Sequence, residues 1–283
     1  MLKIAIPNKG RLHEPSISLF EAAGLPLQDR TARKLFAKTN DPEITILFVR
    51  ASDIPEYVQD GAADMGVTGL DLISETNSEV DILLDLEFGM ANLVLAVPDN
   101  SEIKTVKDLE NKRVATEFPN IAKKYFKDNG MSVEIVRVSG ACEITPHIGV
   151  ADAIIDISSS GTTLITNRLR VVEKVFSSSV KLIANHDSVK NNNKIRHICM
   201  AFESVLNARN KRYLMMNIPK HALDEIKKIL PSLSGPTVME VESNDMLAIH
   251  VVIDSDKILS VVGDLKKVGA SGILITPIER IIP

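Results

Sequence analysis

The chain has 283 residues and a mass of 31.0 kDa, enough for two average domains or three small ones. Hydrophobic residues make up 45% and charged residues 25%, as in ordinary globular proteins, so disorder, collagen-like repeats and a coiled coil are excluded. The net charge of −4, the pI near 5.9 and the absence of Trp argue against a general nucleic-acid or membrane-surface binder.

The first residues and the cysteines bear on compartment. Pro7 ends the initial apolar run before it reaches the length of a signal-peptide core, and no run of 18 apolar residues follows. The spacing of the two cysteines, Cys142 and Cys199, and of the six histidines matches no metal-binding motif. We therefore predict a soluble, cytoplasmic protein with reduced thiols and no structural metal.

The first part of the chain alternates short apolar runs with helical stretches. Strands are predicted at 3–6, 44–49 and 65–68, and helices at 15–23 and 55–60. Strands that alternate with helices are typical of βαβ units, so we predict a mostly parallel sheet.

The same order appears again further along. Strands are predicted at 112–116, 132–138 and 153–157, and a helix at 120–128. The segment GAADMGVTG (61–69) also resembles GVADAIIDISSSG (149–161), which indicates two α/β lobes of similar build, like those of periplasmic binding proteins, around a cleft. A strand at 93–97 is expected to cross between the lobes. Residues 177–194 are expected to form a polar loop, followed by a return strand at 195–202 and a helix to about 209.

The last 75 residues or so follow a different order. Strands at 213–217, 237–241, 247–253 and 272–275 and helices at 220–230 and 256–268 give the order βαββαβ, that of a small ferredoxin-like domain. We predict a first lobe at 1–92 and 180–209, a second lobe at 93–179, and the third domain at 210–283.

The strongest local feature is an apolar strand that ends in a hydroxyl-rich turn. Its polar residues are Asp156, Ser158, Ser159, Ser160, Gly161, Thr162 and Thr163. Backbone N–H groups, hydroxyls and a helix start in this arrangement suit a phosphate, and Asp156 suits a sugar diol or a phosphate-bound Mg²⁺. An ordinary strand–turn–helix with Ser/Thr caps is the alternative.

Charged residues also follow strands of the first lobe. Lys9 and Arg11 come after the first strand, and Arg50 follows the strand at 44–49. Open α/β sheets bind ligands at the carboxyl ends of their strands, so these cations are candidates for phosphate contacts, although each alone could be a surface charge. Asp71 is placed to accept from a ribose hydroxyl or an amino group, or to cap the helix that follows.

Several common enzyme motifs are absent from the sequence. It has no GxSxG, Walker A or GxGxxG segment, which argues against serine hydrolases, P-loop NTPases and Rossmann dehydrogenases. Two lobes around a cleft also fit a solute-binding module. The ligand-sensing half of a transcription regulator is a second alternative, but it would need a helix-turn-helix, and neither terminus offers one.

These segments resemble the ATP phosphoribosyltransferase family of histidine biosynthesis. The family's motif is matched by Glu143, Gly149, Ala151, Ile154, Asp156, Ile157 and Ser160-Gly161-Thr162-Thr163-Leu164. The likeness continues in IAIPNKGRL (4–12), VRASDIPEYVQDGAADMGVTGLD (49–71), KRVATEFPNIAKKYF (112–126) and KRYLMMNIP (211–219), and so spans the chain, with the tail of the family's long form. Asn92, where the family commonly has Arg, and Ala141-Cys142, where a serine is frequent, depart from it.

The resemblance implies a reaction and a set of site residues. N1 of ATP would attack the anomeric carbon of phosphoribosyl pyrophosphate (PRPP), with Mg²⁺ on the departing pyrophosphate. The loop residues Ser158, Ser159, Ser160, Gly161, Thr162 and Thr163 would bind the sugar 5′-phosphate, and Asp156 its hydroxyls. Lys9, Arg11, Arg50, Asp71 and Leu72 would bind the nucleotide, and Glu143 would accept a hydroxyl or orient a neighbour.

The resemblance also implies regulation and assembly. The tail would be an ACT-like domain that senses histidine, with contacts at Asn217, Leu233, Thr237 and Gly272. The expected partners are ATP, PRPP and histidine, together with further copies of the chain in a dimer to hexamer. No nucleic acid or membrane is expected.

Overall fold

A computed structural model describes residues 1–28, 35–158, 161–230, 235–242 and 245–282 of the protein. The chain forms two compact units, Met1–Cys199 and Met200–Pro283. The strands of the first unit are β1 (Leu2–Pro7), β2 (Phe36–Lys38), β3 (Ile44–Val49), β4 (Met65–Gly69), β5 (Asp81–Asp85), β6 (Ala91–Pro98), β7 (Arg113–Thr116), β8 (Glu134–Arg137), β9 (Ala153–Ser158), β10 (Leu169–Ser178) and β11 (Val180–Ala184). Its helices are α1 (His13–Ala22), α2 (Ile54–Gln59), α3 (Leu70–Thr76), α4 (Pro119–Asp128), α5 (Thr162–Thr166), α6 (His186–Asn191) and the first part of α7 (Asn193–Arg209).

A six-stranded sheet in the order β2-β3-β1-β4-β11-β5 organises the first lobe. β1 pairs in parallel with β3 and β4, whereas β11 runs antiparallel to β4 and β5. β1 is buried at five of its six positions, as central parallel strands covered on both faces are. We call this sheet, with α1, α2 and α3, lobe I.

A five-stranded sheet in the order β10-β6-β9-β7-β8 organises the second lobe. β7 pairs in parallel with β8 and β9, but β6 runs antiparallel to β9 and β10. Its core contains Leu93, Leu95, Val114, Ile155 and Phe126. We call this sheet, with α4 and α5, lobe II. Both sheets are mixed, so the prediction of mostly parallel pairing holds for β3, β1 and β4 of lobe I and for β9, β7 and β8 of lobe II, but not for the other strands.

The chain passes between the lobes twice, before β6 and after β10. Asp85, at the end of β5, lies where both crossings meet, because it accepts hydrogen bonds from Ser179 Oγ at 2.8 Å and Lys181 Nζ at 2.5 Å. Burial disfavours the ionised form of Asp85, but hydrogen bonds from the Lys181 ammonium, the Glu87 backbone N–H and the Ser179 hydroxyl keep the pKa of Asp85 below its ordinary value. The two crossings are therefore tied together.

The return to lobe I differs from the sequence-based expectation. Residues 177–194, expected as a loop, include the end of β10, all of β11 and α6, and β11 is the strand that returns. Residues 195–202, expected as a strand, belong to α7, because buried Ile195, Ile198 and Phe202 recur at helical spacing. The high content of apolar residues in this segment led to the incorrect prediction of a strand.

The second unit consists of the end of α7 and a four-stranded antiparallel sheet. The elements after α7 are β12 (Lys211–Pro219), α8 (Leu223–Ile229), β13 (Thr237–Glu240), β14 (Met246–Asp254), α9 (Ile258–Lys267) and β15 (Ser271–Pro277). The sheet order β13-β14-β12-β15 and the chain order βαββαβ confirm the ferredoxin-like prediction. Leu214, Met216 and Ile218 lie at alternate positions of β12, and their side chains point into a core shared with Ile249 and Leu265.

Together the two α/β lobes and the ferredoxin-like unit confirm the predicted fold class. Within the described ranges, no helix has both the length and the apolar character needed to cross a membrane.

Candidate active site

A cavity of about 760 Å³ lies between the two lobes, within the usual range of about 300–1,000 Å³ for small-molecule sites. Lobe I lines it with all five residues predicted to bind the nucleotide, namely Lys9, Arg11, Arg50, Asp71 and Leu72. Lobe II lines it with Glu117, Phe118, Ser139, Gly140 and Ile157. The cleft thus brings together residues that are far apart in the chain.

Three cations lie at one edge of the lobe I sheet. Lys9 and Arg11 follow β1, and Arg50 follows β3, whose last residue is in register with Pro7 at the end of β1. All three side chains are exposed, and no carboxylate of the described residues forms an ion pair with them. Uncompensated positive charge at this edge is suited to an anionic ligand.

Asp71 is buried, with 5% of its surface exposed, at the start of α3. Ser178 Oγ donates to Asp71 Oδ1 at 2.6 Å and accepts from the Asp71 N–H at 3.0 Å. The carboxylate folds back over Gly69, where an added Cβ would lie 2.0 Å from Oδ1, so only glycine fits there. Asp71 is therefore fixed against the second crossing, and it does not cap α3 with its side chain.

Carboxylates gather on the lobe II side. Asp156, near the end of β9, accepts from the Ile157 N–H at 2.7 Å. Burial, together with the negative charges of Glu143 and Glu117, raises the pKa of Asp156 to about 6. Buried Cys142 lies beside the same carboxylates, and burial raises the pKa of its thiol far above the ordinary value, so it remains protonated.

Glu117 is a site residue that the sequence analysis missed. It follows β7, which is the parallel neighbour of β9, and Thr116 is in register with Ile155. The carboxyl ends of parallel neighbours meet at one edge, so a charged residue after β7 is brought close to Asp156. The position of Glu117 directly after a predicted strand is visible in the sequence. Its link to Asp156 could be inferred only by knowing that β7 and β9 are adjacent.

The predicted phosphate loop connects β9 to α5. Ser158 ends β9, Gly161 has φ +77°, and Thr162 and Thr163 begin α5, whereas Ser159 and Ser160 lie outside the described residues. Ile157 lines the cleft cavity, but the described loop residues do not. Because α5 has only five residues, hydroxyls and loop N–H groups would contribute more than its dipole to anion binding.

Asn92, where the resemblance predicts an arginine, lies next to this loop. On β6 it is in register with Ser158 of β9, and its side-chain oxygen accepts from Ser177 Oγ at 3.0 Å. The side chain is therefore held at the start of the loop, without the positive charge of an arginine.

The donor set for a metal ion is small. Among the residues that the structure describes, no group of three or more His, Cys, Asp or Glu is arranged to hold a metal. Mg²⁺ typically takes one or two carboxylates and completes its shell with water and substrate phosphates. Asp156 and Glu143 fit that role, because a nearby cation would offset both the burial and the repulsion between carboxylates that raise the pKa of Asp156.

The predicted effector residues are partly brought together in the second unit. Asn217 on β12 is in register with Ser271, and its Nδ2 lies 3.6 Å from where a Cβ on Gly272 would stand. Thr237 is on β13, which β14 separates from β12. Leu233 lies outside the described residues.

The fold and the cleft define a two-lobed α/β protein with a small-molecule cavity between its lobes, followed by a ferredoxin-like unit. The family model described as ATP phosphoribosyltransferase matches residues 50–204, and the model of its C-terminal domain matches residues 208–280. An ATP phosphoribosyltransferase of Methanococcoides burtonii is 62% identical over the whole of both chains, and one of Methanosarcina mazei is 59% identical, also over both full lengths.

A solved structure shows the same likeness. A chain of the ATP phosphoribosyl transferase (HisG:HisZ) complex from Thermotoga maritima has a TM-score of 0.62 and 28% identity, covering 72% of this chain and 98% of its own. The chain belongs to the ATP phosphoribosyltransferase family, in its long form. It is a pentosyltransferase of histidine biosynthesis, which removes the solute-binding and transcription-regulator alternatives.

Proposed function

We propose that the protein transfers the phosphoribosyl group of PRPP to N1 of ATP, releases pyrophosphate, and is inhibited by histidine. The supporting observation is the cleft itself, where free cations of lobe I and Glu117 of lobe II line one cavity and Glu117 interacts electrostatically with Asp156. N1 of ATP forms a bond to the anomeric carbon as the bond from that carbon to the pyrophosphate oxygen breaks. The nucleophile belongs to the substrate, so the protein contributes position and electrostatics.

Lobe I binds ATP in this proposal. Lys9, Arg11 and Arg50 neutralise its phosphates, since they are exposed in the cavity and free of described partners. Leu72 packs against the nucleotide. Asp71 offers its remaining carboxylate oxygen to a donor of the nucleotide, because Ser178 already occupies Oδ1.

Lobe II binds the sugar donor. Ser158 to Thr163 hold the 5′-phosphate through hydroxyl and N–H groups, and Asp156 accepts from ribose hydroxyls. Its neighbour Glu143 accepts a further hydroxyl or orients Asp156. The negative charge of these carboxylates also favours the positive charge that develops on the sugar as pyrophosphate leaves.

In this proposal, Mg²⁺ binds to the pyrophosphate group of PRPP. When bound, it neutralises the charge that builds on the leaving group. Asp156 and Glu143 would hold it, and a carboxylate that is already ionised at neutral pH is ready to do so.

Histidine binds the ferredoxin-like unit beside Asn217 and Gly272 in this proposal. The supporting observation is that the Asn217 amide lies beside Gly272, which has φ +58° and no side chain of its own. Thr237 and Leu233 stay predicted contacts. We also propose that the protein is a cytoplasmic homo-oligomer; the Thermotoga maritima relative is part of a HisG:HisZ complex.

Pyrophosphate release from ATP and PRPP with Mg²⁺ tests the proposal. We expect release only when all three are present, and a reduced rate when histidine is added. Omitting each component in turn provides the control. Binding of ATP or PRPP without turnover would contradict the transfer reaction, and an unchanged rate with histidine would contradict the inhibition alone.

A further inference from the structure

Helix α4 of lobe II begins without a cap from its own neighbourhood. Its N-cap is Phe118, which has no side-chain acceptor, and Pro119 has no N–H. The first free N–H groups belong to Asn120 and Ile121, and the carboxylate of Glu75 from lobe I accepts both. The Asn120 N–H lies 3.1 and 3.0 Å from the two carboxylate oxygens, and the Ile121 N–H lies 3.1 Å from one of them.

The capping is reciprocal. Asn120 Nδ2 donates to the backbone carbonyl of Glu75 at 2.8 Å. Glu75 lies in the last turn of α3, so the negative end of the α3 dipole faces the positive end of α4. A charge-assisted cap and a returned hydrogen bond therefore join the lobes at this point.

Helix α3 divides its side chains between the lobes. Ile73 is buried in the core of lobe I, whereas Leu72 packs against the core of lobe II, which includes Phe118 and Ile121. Asp71 and Leu72 also line the cleft from one side, and Phe118 lines it from the other. The α3–α4 contact is thus at the edge of the cavity, between the two groups of site residues.

We infer that Glu75 is a positioning residue that sets the orientation of the two lobes across the cleft. By holding α3 to α4, it fixes the distance from ATP on lobe I to the sugar donor on lobe II. This role rests on the proposed function, and Glu75 is not among the described residues that line the cleft cavity. It also means that the anion-binding end of α4 is already occupied by a group of the protein.

The substitutions Glu75→Gln and Glu75→Ala test this role, with Glu79→Gln as the matched control. Glu79 is exposed three residues after α3 and its side chain has no described partner. We expect amide hydrogen exchange of residues 120–123 to become at least tenfold faster in both Glu75 variants and to stay unchanged in the control. Loss of one charge-assisted hydrogen bond corresponds to roughly tenfold or more.

Kinetics separate positioning from folding. In Glu75→Gln, the affinity for ATP alone should stay within twofold of the unsubstituted protein, because lobe I is intact. Its kcat should fall about tenfold, and the kcat of Glu75→Ala should fall further. A fall in ATP affinity that matches the fall in kcat would overturn the inference, as would turnover within twofold of the unsubstituted protein. If Glu75→Ala fails to fold, Asn120→Ala removes the returned bond and should give the same split.

The two proposals can fail separately. If the unsubstituted protein releases no pyrophosphate, the proposed function is wrong, and the hydrogen exchange of residues 120–123 still decides whether Glu75 joins the lobes. Unchanged exchange in Glu75→Gln, in a protein that does release pyrophosphate, would overturn the inference about Glu75 alone.

Discussion

Arg50 lies exposed in the cleft with no described partner, so its charge is available to a ligand and contributes little to folding. We expect Arg50→Gln to lower kcat/KM roughly tenfold to a hundredfold, the value of a charge-assisted contact of about 1.5–3 kcal/mol. The melting temperature should stay unchanged. Steady-state kinetics and thermal unfolding measure both, and unchanged kinetics would remove Arg50 from the site.

Asp156 shows the opposite balance between folding and function. Its pKa is raised to about 6, so the ionised form is unfavourable in the folded protein, and stability is lost as pH rises from about 4 to 6. At pH 8 we expect Asp156→Asn to raise the free energy of unfolding by about 1–2 kcal/mol, since water screens part of the effect, with no gain at pH 4.

The same substitution should lower turnover, because an amide cannot supply the negative charge proposed to face the sugar. Denaturant unfolding at both pH values and the pyrophosphate assay measure the two effects. Exposed Asp128 provides the control, and Asp128→Asn should change neither. Equal stability gains at pH 4 and pH 8 would contradict the electrostatic explanation.

At the level of elements, the turn between β9 and α5 is proposed to hold the sugar phosphate. We expect Thr163→Ala, and independently Thr162→Ala, to raise KM for PRPP by about threefold to tenfold, since a neutral hydrogen bond contributes about 0.5–1.5 kcal/mol. KM for ATP should change less than twofold. Steady-state kinetics with each substrate varied in turn provide the measurement, and equal effects on both substrates would contradict the assignment.

The elements also differ in how well the sequence predicted them. β1, β3, β7 and β9 were predicted closely because each is a short apolar run bounded by Pro, Gly or charged residues. β5 and β10 were missed, because charged residues interrupt them and most of their positions are partly buried or exposed. Their strand conformation depends on the partner strands, which local sequence does not name.

At the level of the whole molecule, the ferredoxin-like unit is proposed to transmit the effect of histidine to the catalytic unit. We expect Asn217→Ala to require at least tenfold more histidine for half inhibition, because the side-chain amide beside Gly272 is lost. The rate without histidine should not change. Rate measurements over a range of histidine concentrations test this, and undiminished inhibition would place the effector elsewhere.

The sequence alone was enough to determine the number of lobes, the ferredoxin-like order of the tail and the family. These depend on local periodicity and on motifs whose residues are close together in the chain. It also pointed to Lys9, Arg11 and Arg50 as candidates, because they lie just beyond the ends of strands that could be recognised locally.

Only the tertiary structure revealed the contacts between the lobes and the grouping of carboxylates within lobe II. Ser178 reaches Asp71 across 107 residues and Glu75 caps a helix 45 residues away. Within lobe II, Glu117 lies near Asp156 because β7 and β9 are neighbours. Each contact depends on strand order and on the path of the chain between lobes. Local sequence propensity does not determine the strand order or the path of the chain, since many strand orders would bury the same apolar runs equally well.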